Sequence, residues 1–316
     1  MSADEFAFID WLRQRARPKD ARVAIGIGDD MAAIRWPGGL VLITCDIRLD
    51  TVHFVWAQHG PELVGRKVIT CGLSDCAAMA ALPRAAVVSV ALNKNVTMDE
   101  AQRLAGSMVH TAKTYGCEIV GGDTTSWTGP TAIDVAMLGE VPDRGQPILR
   151  SGARPGDAVY VTGKLGGSIL GRHMTFEPRV KLAQELAATG CVHAMIDISD
   201  GLAADLKHIC EESHCGAVLE GDLLEKVIHD DAHRLSTQDN QPPLDHALHD
   251  GEDFELVVVG DARGLQPLAE DRTILLIGKI TTDGGLRIRQ DHQERPLSPA
   301  GWRHKFGATT SGSSQR

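Results

Sequence analysis

The sequence predicts an α/β protein of α+β type in two domains, with mixed sheets flanked by helices. Three observations predict it. The chain has 316 residues, about twice the ~150 of an ordinary domain. Short apolar runs alternate with helix-period patterns in both halves, as mixed architectures require. Gly, Pro and polar residues gather in VPDRGQ (141–146) and SGARPG (151–156), a composition typical of a connector between domains. The expected division is 1–146 and 147–306, with a disordered tail at 307–316 (GATTSGSSQR).

Each element has its own signal. Residues 6–15 read as a short amphipathic helix. Strands are expected over 22–25, 40–44, 85–92, 119–120 and 133–138, where apolar runs are short and bounded by polar residues. Helices are expected over 61–79, interrupted near Gly72, and over 99–115. Thr97 with Glu100 three residues on forms a capping-box pattern before the second of these. Beyond the connector come a strand (158–162), a Gly-rich turn (163–171), helices (179–189 and 202–212) and strands (217–220, 254–259 and 274–277).

Composition narrows the function. Apolar residues are 43% and charged residues 23% of the chain, enough for an ordinary core. The formal net charge is −10, which argues against general binding to nucleic acid or an anionic membrane, since both need a basic face. No apolar run approaches the ~20 residues of a membrane span, and MSADEFAFIDWLRQR lacks a secretory apolar segment. The expected location is cytoplasmic. Seven cysteines with no CxxC read as reduced, mostly buried thiols.

The carboxylates carry the chemistry. Apolar stretches deliver acids to their ends at Asp29-Asp30, Asp46, Asp75, Asp123 and Asp197, the last followed by Ser199-Asp200-Gly201. One such junction is an ordinary turn or helix cap; Asp99 and Asp157 read that way, and Asp200 could simply cap the helix after it. Five junctions that converge would crowd like charges into one space, which demands cations. With oxygen ligands only, Mg²⁺ or Mn²⁺ is favoured over zinc, and Mg²⁺ completes its shell with water and substrate phosphate. The familiar phosphate loops are missing. Leu165 breaks a GK[ST] ending, Met31 replaces the third glycine after Gly26-Ile27-Gly28, and Asp29-Asp30 would repel a pyrophosphate. The HICEESHC run (208–215) does not match a zinc spacing and reads as a helix with solvent-facing histidines and core cysteines. His53 could reach the same mouth as Asp46, and Trp302 alone reads as core.

Eight segments, in order, resemble the thiamine-monophosphate kinase family, within the aminoimidazole-ribonucleotide-synthetase-like ATP enzymes. They are GIGDD (26–30), Asp46 to His53-Phe54, GRK…LSDCAAM (65–79), GGDTT (121–125), RSGARPGD (150–157), IDISDGLAADL (196–206), GEDFEL (251–256) and the late tryptophan of GWRHKF. They span residues 26–306.

The resemblance implies a two-domain aminoimidazole-ribonucleotide-synthetase-like fold. The N-terminal domain would bind ATP and metal and form the dimer, and the C-terminal domain would complete the active site. The implied reaction is direct, Mg²⁺-assisted transfer from ATP to thiamine monophosphate, giving thiamine diphosphate. By position, Asp30, Thr44, Cys45, Asp46, Asp75, Asp123, Asp197 and Asp200 fall where the family holds several Mg²⁺ ions. Gly122, Asp123, Arg150 and Ser199 fall where it contacts ATP. His53, Glu252 and Trp302 fall where it contacts the thiamine phosphate. Because the acceptor is already an anion, no general base is assigned. A homodimer is implied.

Some residues depart from the pattern. Cys45 stands where a threonine is usual, Arg48 adds a positive charge between Asp46 and His53, Asp250 replaces a glycine, and the turn after Gly171 is short. These touch acceptor choice more than ATP use. The alternatives are another ATP-using enzyme of the superfamily with a different acceptor, or a non-catalytic ATP-binding relative. A selenophosphate-synthetase-like or hydrogenase-maturation-like chemistry would want a cysteine in regions where this sequence has none.

Overall fold

The computed structural model describes residues 5–16, 20–142 and 145–302. The expected tail at 307–316 lies outside them. Helix α1 (Glu5–Arg15) precedes a six-stranded sheet of β1 (Val23–Ile25), β2 (Ala32–Trp36), β3 (Gly39–Leu49), β4 (Leu82–Asn93), β5 (Glu118–Trp127) and β6 (Ala132–Glu140). Its order is β1-β2-β3-β6-β4-β5. Only β4 and β5 run parallel, because helix α3 (Met98–Thr114) carries the chain back between them.

Strand alternation sets the two faces of this sheet. Ile133, Val135 and Met137 of β6 are fully buried, while Asp134 and Ala136 between them are only half-buried. Helices α2 (Trp56–Ala78) and α3 cover the buried side. The capping box expected before α3 is present, with Thr97 and Glu100 bonded reciprocally. The break expected near Gly72 is instead at Gly60 (φ 73°, ψ 166°). Pro61 explains this, since proline disfavours helical geometry in the residue before it. Gly72 lies in continuous helix against Met137.

The second half forms a seven-stranded sheet of β7 (Ala158–Val161), β8 (Val192–Asp197), β9 (Gly216–Glu220), β10 (Leu256–Gly260), β11 (Leu275–Thr281), β12 (Gly285–Gln290) and β13 (Gln293–Pro296). The order is β13-β12-β9-β11-β7-β10-β8. Helices α4 (Val180–Ala188), α5 (Leu202–Glu212), α6 (Gly221–Leu224), α7 (Asp230–Asp239), α8 (Pro243–His249) and α9 (Ala262–Glu270) accompany it. Strands β7 and β10 are buried throughout, which is why they read as unbroken apolar runs. Their alternate residues enter two cores. Val159, Val161, Val257 and Val259 pack in the core that includes α5. Ala158, Tyr160, Leu256 and Val258 share a core with Val64, Val68 and Leu73 of α2 and with Leu42 and Ile133 of the first sheet. Helix α2 therefore joins the two halves.

Most expected elements form, within a few residues. The strand expected over 254–259 starts at Leu256 because Phe254 takes a left-handed φ of 52°. The two residues expected at 119–120 grow into the ten-residue β5, whose residues are exposed except Ile119.

The closest helix contact suggests a test. A Cβ on Gly65 of α2 would lie 2.6 Å from the Leu104 carbonyl oxygen of α3. Gly65→Ala forces the helices apart at a packed seam, and overpacking of this kind costs about 1–3 kcal/mol. Thermal unfolding should show a midpoint several degrees below wild type; an unchanged midpoint would mean the seam is not tight.

Candidate active site

Three carboxylates from distant segments meet beside α2. Asp30 follows β1, Asp75 lies in the last turns of α2, and Asp197 ends β8. One oxygen from each lies within 4.8 Å of the others. Asp75 comes from the helix expected over 61–79, Asp46 and Asp123 lie inside β3 and β5, and Asp197 ends β8. Hydroxyls hold two of the carboxylates: Thr44 donates to Asp75 Oδ2 and Ser74 to Asp197 Oδ2, each at 2.5 Å. Arg150 lays Nε and Nη2 across Asp30 at 3.2 and 2.8 Å, and its backbone N–H points to Asp29.

The crowding is electrostatically costly. Burial, then the neighbouring charge of Asp30, pushes the Asp197 carboxyl up to about 7. Burial, then Asp46, Asp197 and Asp30, raises Asp75 well above the usual carboxylate range. Burial and Asp30 lift Asp29 to about 7, against the pull of Arg150. Hard oxygen donors of one sign, aimed at one point with too little local positive charge, fit a divalent cation of the Mg²⁺ type.

A cavity of about 570 Å³ opens beside this cluster. Asp46, Asp75, Asp197 and Asp200 line it, as do Arg150 and Ser199 and, from the acceptor set, His53, Glu252 and Trp302. Trp302 is 56% exposed there, so the core reading of this residue is corrected. Asp200 does not cap α5 with its side chain: Gly201 is the N-cap (φ 124°). The nearby backbone N–H groups of Asp200 and Gly201 go to Asp205 instead.

The Glu252 segment is clamped to the end of β8. The N–H groups of Glu252 and Phe254 donate to the carbonyls of Ser199 and Ile198, and Ile198 N–H donates to Glu255, all at 2.8 Å. Glycine is needed at 251, where a Cβ would sit 2.6 Å from the Ser199 carbonyl oxygen. Each acid of the segment has its own cation: Glu252 meets Lys67, Asp253 meets Arg172 and Glu255 meets Arg179. Lys67 is wholly buried, and its ammonium donates to both Glu252 oxygens and to the His53 carbonyl at 2.8, 2.9 and 2.6 Å.

Three expected residues are not brought to this cavity. Strand alternation puts the Cys45 side chain on the sheet face opposite Thr44 and Asp46, where its thiol donates to Asp134. The thiol thus points away from the carboxylate cluster, which leaves only the Cys45 main-chain carbonyl on the metal side. Gly122 and Asp123 lie on the exposed edge strand β5 and do not line the cavity. His208, expected to face solvent, lines the cavity; burial and then Arg150 lower it to about 4. His214 and Cys215 fall beyond the end of α5.

Comparison with known proteins gives this geometry its context. Residues 28–141 match the family model described as AIR synthase related protein, N-terminal domain. The chain is 39% identical over 313 residues to the thiamine-monophosphate kinase of Rhodopirellula baltica, covering 95% of this chain and 97% of the relative. The chain belongs to the thiamine-monophosphate kinase family. The Bacillus subtilis member is 33% identical over 80% of this chain and 82% of its own. The structure of AaThiL complexed with AMPPCP and TMP superposes with a TM-score of 0.83 at 26% identity, covering 95% and 97% of the two chains. The hydrogenase maturation protein HypE of E. coli, at 20% identity over 93% and 97% of the chains and TM-score 0.67, shares the fold.

Sequence reasoning assigned no role to several residues that shape this kinase-family site. Lys67 had a signal: it lies on the helical stripe Val64, Lys67, Val68, Cys71, all buried, and a lysine inside an apolar stripe needs a buried partner. Ser74 and Asp205 had none, since their partners come from other segments.

The raised Asp197 predicts a pH dependence. A carboxyl whose folded value lies above its unfolded value of about 4 stabilises the fold below that pH, and this stability is lost as pH rises through about 7. Asp197→Asn removes that loss. In metal-free protein its thermal midpoint should match or fall below wild type at pH 4 and exceed it by several degrees at pH 8. A pH-independent difference would refute the charge-crowding account.

Proposed function

We propose that the protein transfers the γ-phosphoryl group of ATP to thiamine monophosphate, giving ADP and thiamine diphosphate. The single observation that carries this reading is the convergence of Asp30, Asp75 and Asp197 beside a cavity lined by His53, Glu252 and Trp302. The relatives' names and the AMPPCP and TMP complex of AaThiL support the choice of donor and acceptor.

In this reading Asp30, Asp46, Asp75, Asp197 and Asp200 hold Mg²⁺, and Thr44 orients Asp75. Cys45 keeps only its main-chain carbonyl for such a role. Bound Mg²⁺ would neutralise phosphate charge and template the in-line transfer. Arg150 and Ser199 face the ATP phosphates. At the acceptor end, Trp302 offers an aromatic face to the cationic thiazolium or the pyrimidine ring, and Glu252 accepts a hydrogen bond from the aminopyrimidine. Lys67 pairs with Glu252 and fixes its position. The attacking oxygen belongs to a phosphate monoester that is already anionic, so no side chain need remove a proton from it.

Gly122 and Asp123 join the site only through a second copy in this reading. The face of the first sheet that carries them also exposes Ile47 and Val87, and β5 exposes Val120 and Trp127, an apolar spread suited to burial between N-terminal domains. The same reading divides the chain at 146/147 into an ATP- and metal-binding, dimer-forming domain and a domain that completes the site. No helix among the described residues is long and apolar enough to cross a membrane; the ATP requirement and seven unpaired cysteines fit the cytoplasm.

The test is direct. Purified protein with ATP, Mg²⁺ and thiamine monophosphate should yield thiamine diphosphate. Asp75→Asn should fold normally and lose turnover by about 100-fold or more, as removal of a charge-stabilising group does. ATP binding that requires Mg²⁺ without any thiamine diphosphate formed would reject this acceptor.

A further inference from the structure

Three cations serve the cavity, and they are not equally engaged. Lys67 directs all three N–H groups at Glu252 and His53. Arg150 lies across Asp30 with two guanidinium nitrogens. Arg48, one of the departures from the family pattern, makes a single hydrogen bond among the described residues, from Nη2 to Asp46 Oδ2 at 2.8 Å. Its Nε is buried with no partner. A guanidinium has five N–H donors; among the described residues only Nη2 of Arg48 is hydrogen-bonded, in a side chain 15% exposed. Leaving a buried charged donor such as Nε unmatched is costly, and a cavity-lining cation with free donors suits an acceptor that arrives with the ligand.

The position of Arg48 says which ligand group that is. Alternation along β3 puts it on the same face as Thr44 and Asp46, and it lines the cavity with His53. The carboxylates that act on its charge are Asp46, Glu252 and Asp75. It therefore lines the same cavity as the carboxylates Asp46, Asp75 and Asp197 and as Glu252. A molecule with its rings at Glu252 and Trp302 and its reacting end at the acid cluster brings the group that joins the two into the cavity Arg48 lines. In thiamine monophosphate that group is the phosphate.

We infer that Arg48 is the acceptor-phosphate anchor of this protein, a specificity-determining residue that admits the phosphate monoester and discriminates against the unphosphorylated alcohol. The inference rests on the kinase reading above and deepens it. The planar fork of arginine suits two phosphate oxygens at once, which an ammonium cannot match. Its charge also offsets Asp46 and Glu252, which would otherwise repel the arriving anion, so part of the acceptor's affinity is independent of Mg²⁺.

Calorimetric titration of the full chain with thiamine monophosphate and with thiamine, each with and without Mg²⁺, tests this in wild type, Arg48→Met and Arg48→Lys. Arg48→Met should weaken thiamine monophosphate binding by about 10- to 100-fold, the range of charged hydrogen bonds, and leave thiamine within twofold. The preference for the phosphate should collapse while AMPPCP affinity holds within twofold. KM for thiamine monophosphate should rise more than kcat falls, and Arg48→Lys should recover part of the preference. Arg48→Gln, which can still donate to Asp46, gives the same ratio should the Met variant not fold. An unchanged preference in the variants, or a loss confined to AMPPCP, overturns the role of Arg48 alone. A wild type that binds AMPPCP but no thiamine monophosphate overturns the kinase reading and this inference with it.

Discussion

The constraint on which this structure depends is the confinement of Asp30, Asp75 and Asp197 to one small volume. Carboxylates within 4.8 Å of one another repel, and burial makes the repulsion stronger because water no longer screens it. The fold maintains the arrangement by overdetermining each member. Thr44 from the first sheet holds Asp75, Ser74 from α2 holds Asp197 of the second sheet, and Arg150 from the connector holds Asp30. Each tie crosses between segments, and two of them, Ser74–Asp197 and Arg150–Asp30, also fasten the halves together. Helix α2 is the common element. It supplies Ser74 and Asp75 to the cluster, Lys67 to the acceptor side and Val68 and Leu73 to the shared core. Strong packing around α2 is what lets the protein tolerate a cluster that by itself opposes folding.

The acceptor side follows a different logic. There the acids are neutralised singly, each by a dedicated cation, and the backbone of residues 251–255 is tied to β8 by main-chain hydrogen bonds. Two non-glycine residues, Glu252 and Phe254, hold left-handed conformations at φ 60° and 52°, a strain that persists only where surrounding contacts enforce it. The result is a recognition surface fixed before ligand arrives. Such preorganisation lowers the ordering cost of binding and keeps the reacting groups aligned. One end of the cavity is thus an excess of negative charge, and the other is a neutralised, rigid socket.

Much of this was legible in the sequence, and the reasons for the remainder are physical. The acids were visible because one local pattern, an apolar run ending in Asp and mostly beside Gly, Ser or Thr, recurs five times. Their convergence was an inference from charge, and Asp30, Asp75 and Asp197 meet it. What a linear pattern could not give was direction. Adjacent strand residues point to opposite faces, so Cys45 parts from Thr44 and Asp46 although it lies between them. An edge strand exposed on both faces has no apolar alternation, so most of β5 was hidden in GGDTT. Trp302 is a large apolar residue whose exposure depends on a cavity formed by other segments. Asp75 was placed on a helix by the pattern over 61–79, but the partners that converge on it come from other segments and leave no mark in that pattern.

Phosphoryl transfer between two anions explains why the two ends of the cavity differ. The donor brings several negative charges and the acceptor, a phosphate monoester, brings its own; both must approach a wall of carboxylates. Fixed arginines alone would satisfy those carboxylates permanently and leave little attraction for the phosphates. On the proposed function, exchangeable divalent ions held by Asp30, Asp75 and Asp197 would solve this at the reacting end, since they would supply positive charge that is not permanently committed to the protein. At the acceptor end no charge moves during the reaction, so permanent pairs such as Lys67–Glu252 are suitable. Arg48 lies where the two regimes meet, paired on one side with Asp46 and open on the other. A residue there can act on the one group that both binds and reacts, and this is why a change at position 48 should alter acceptor choice before it alters chemistry.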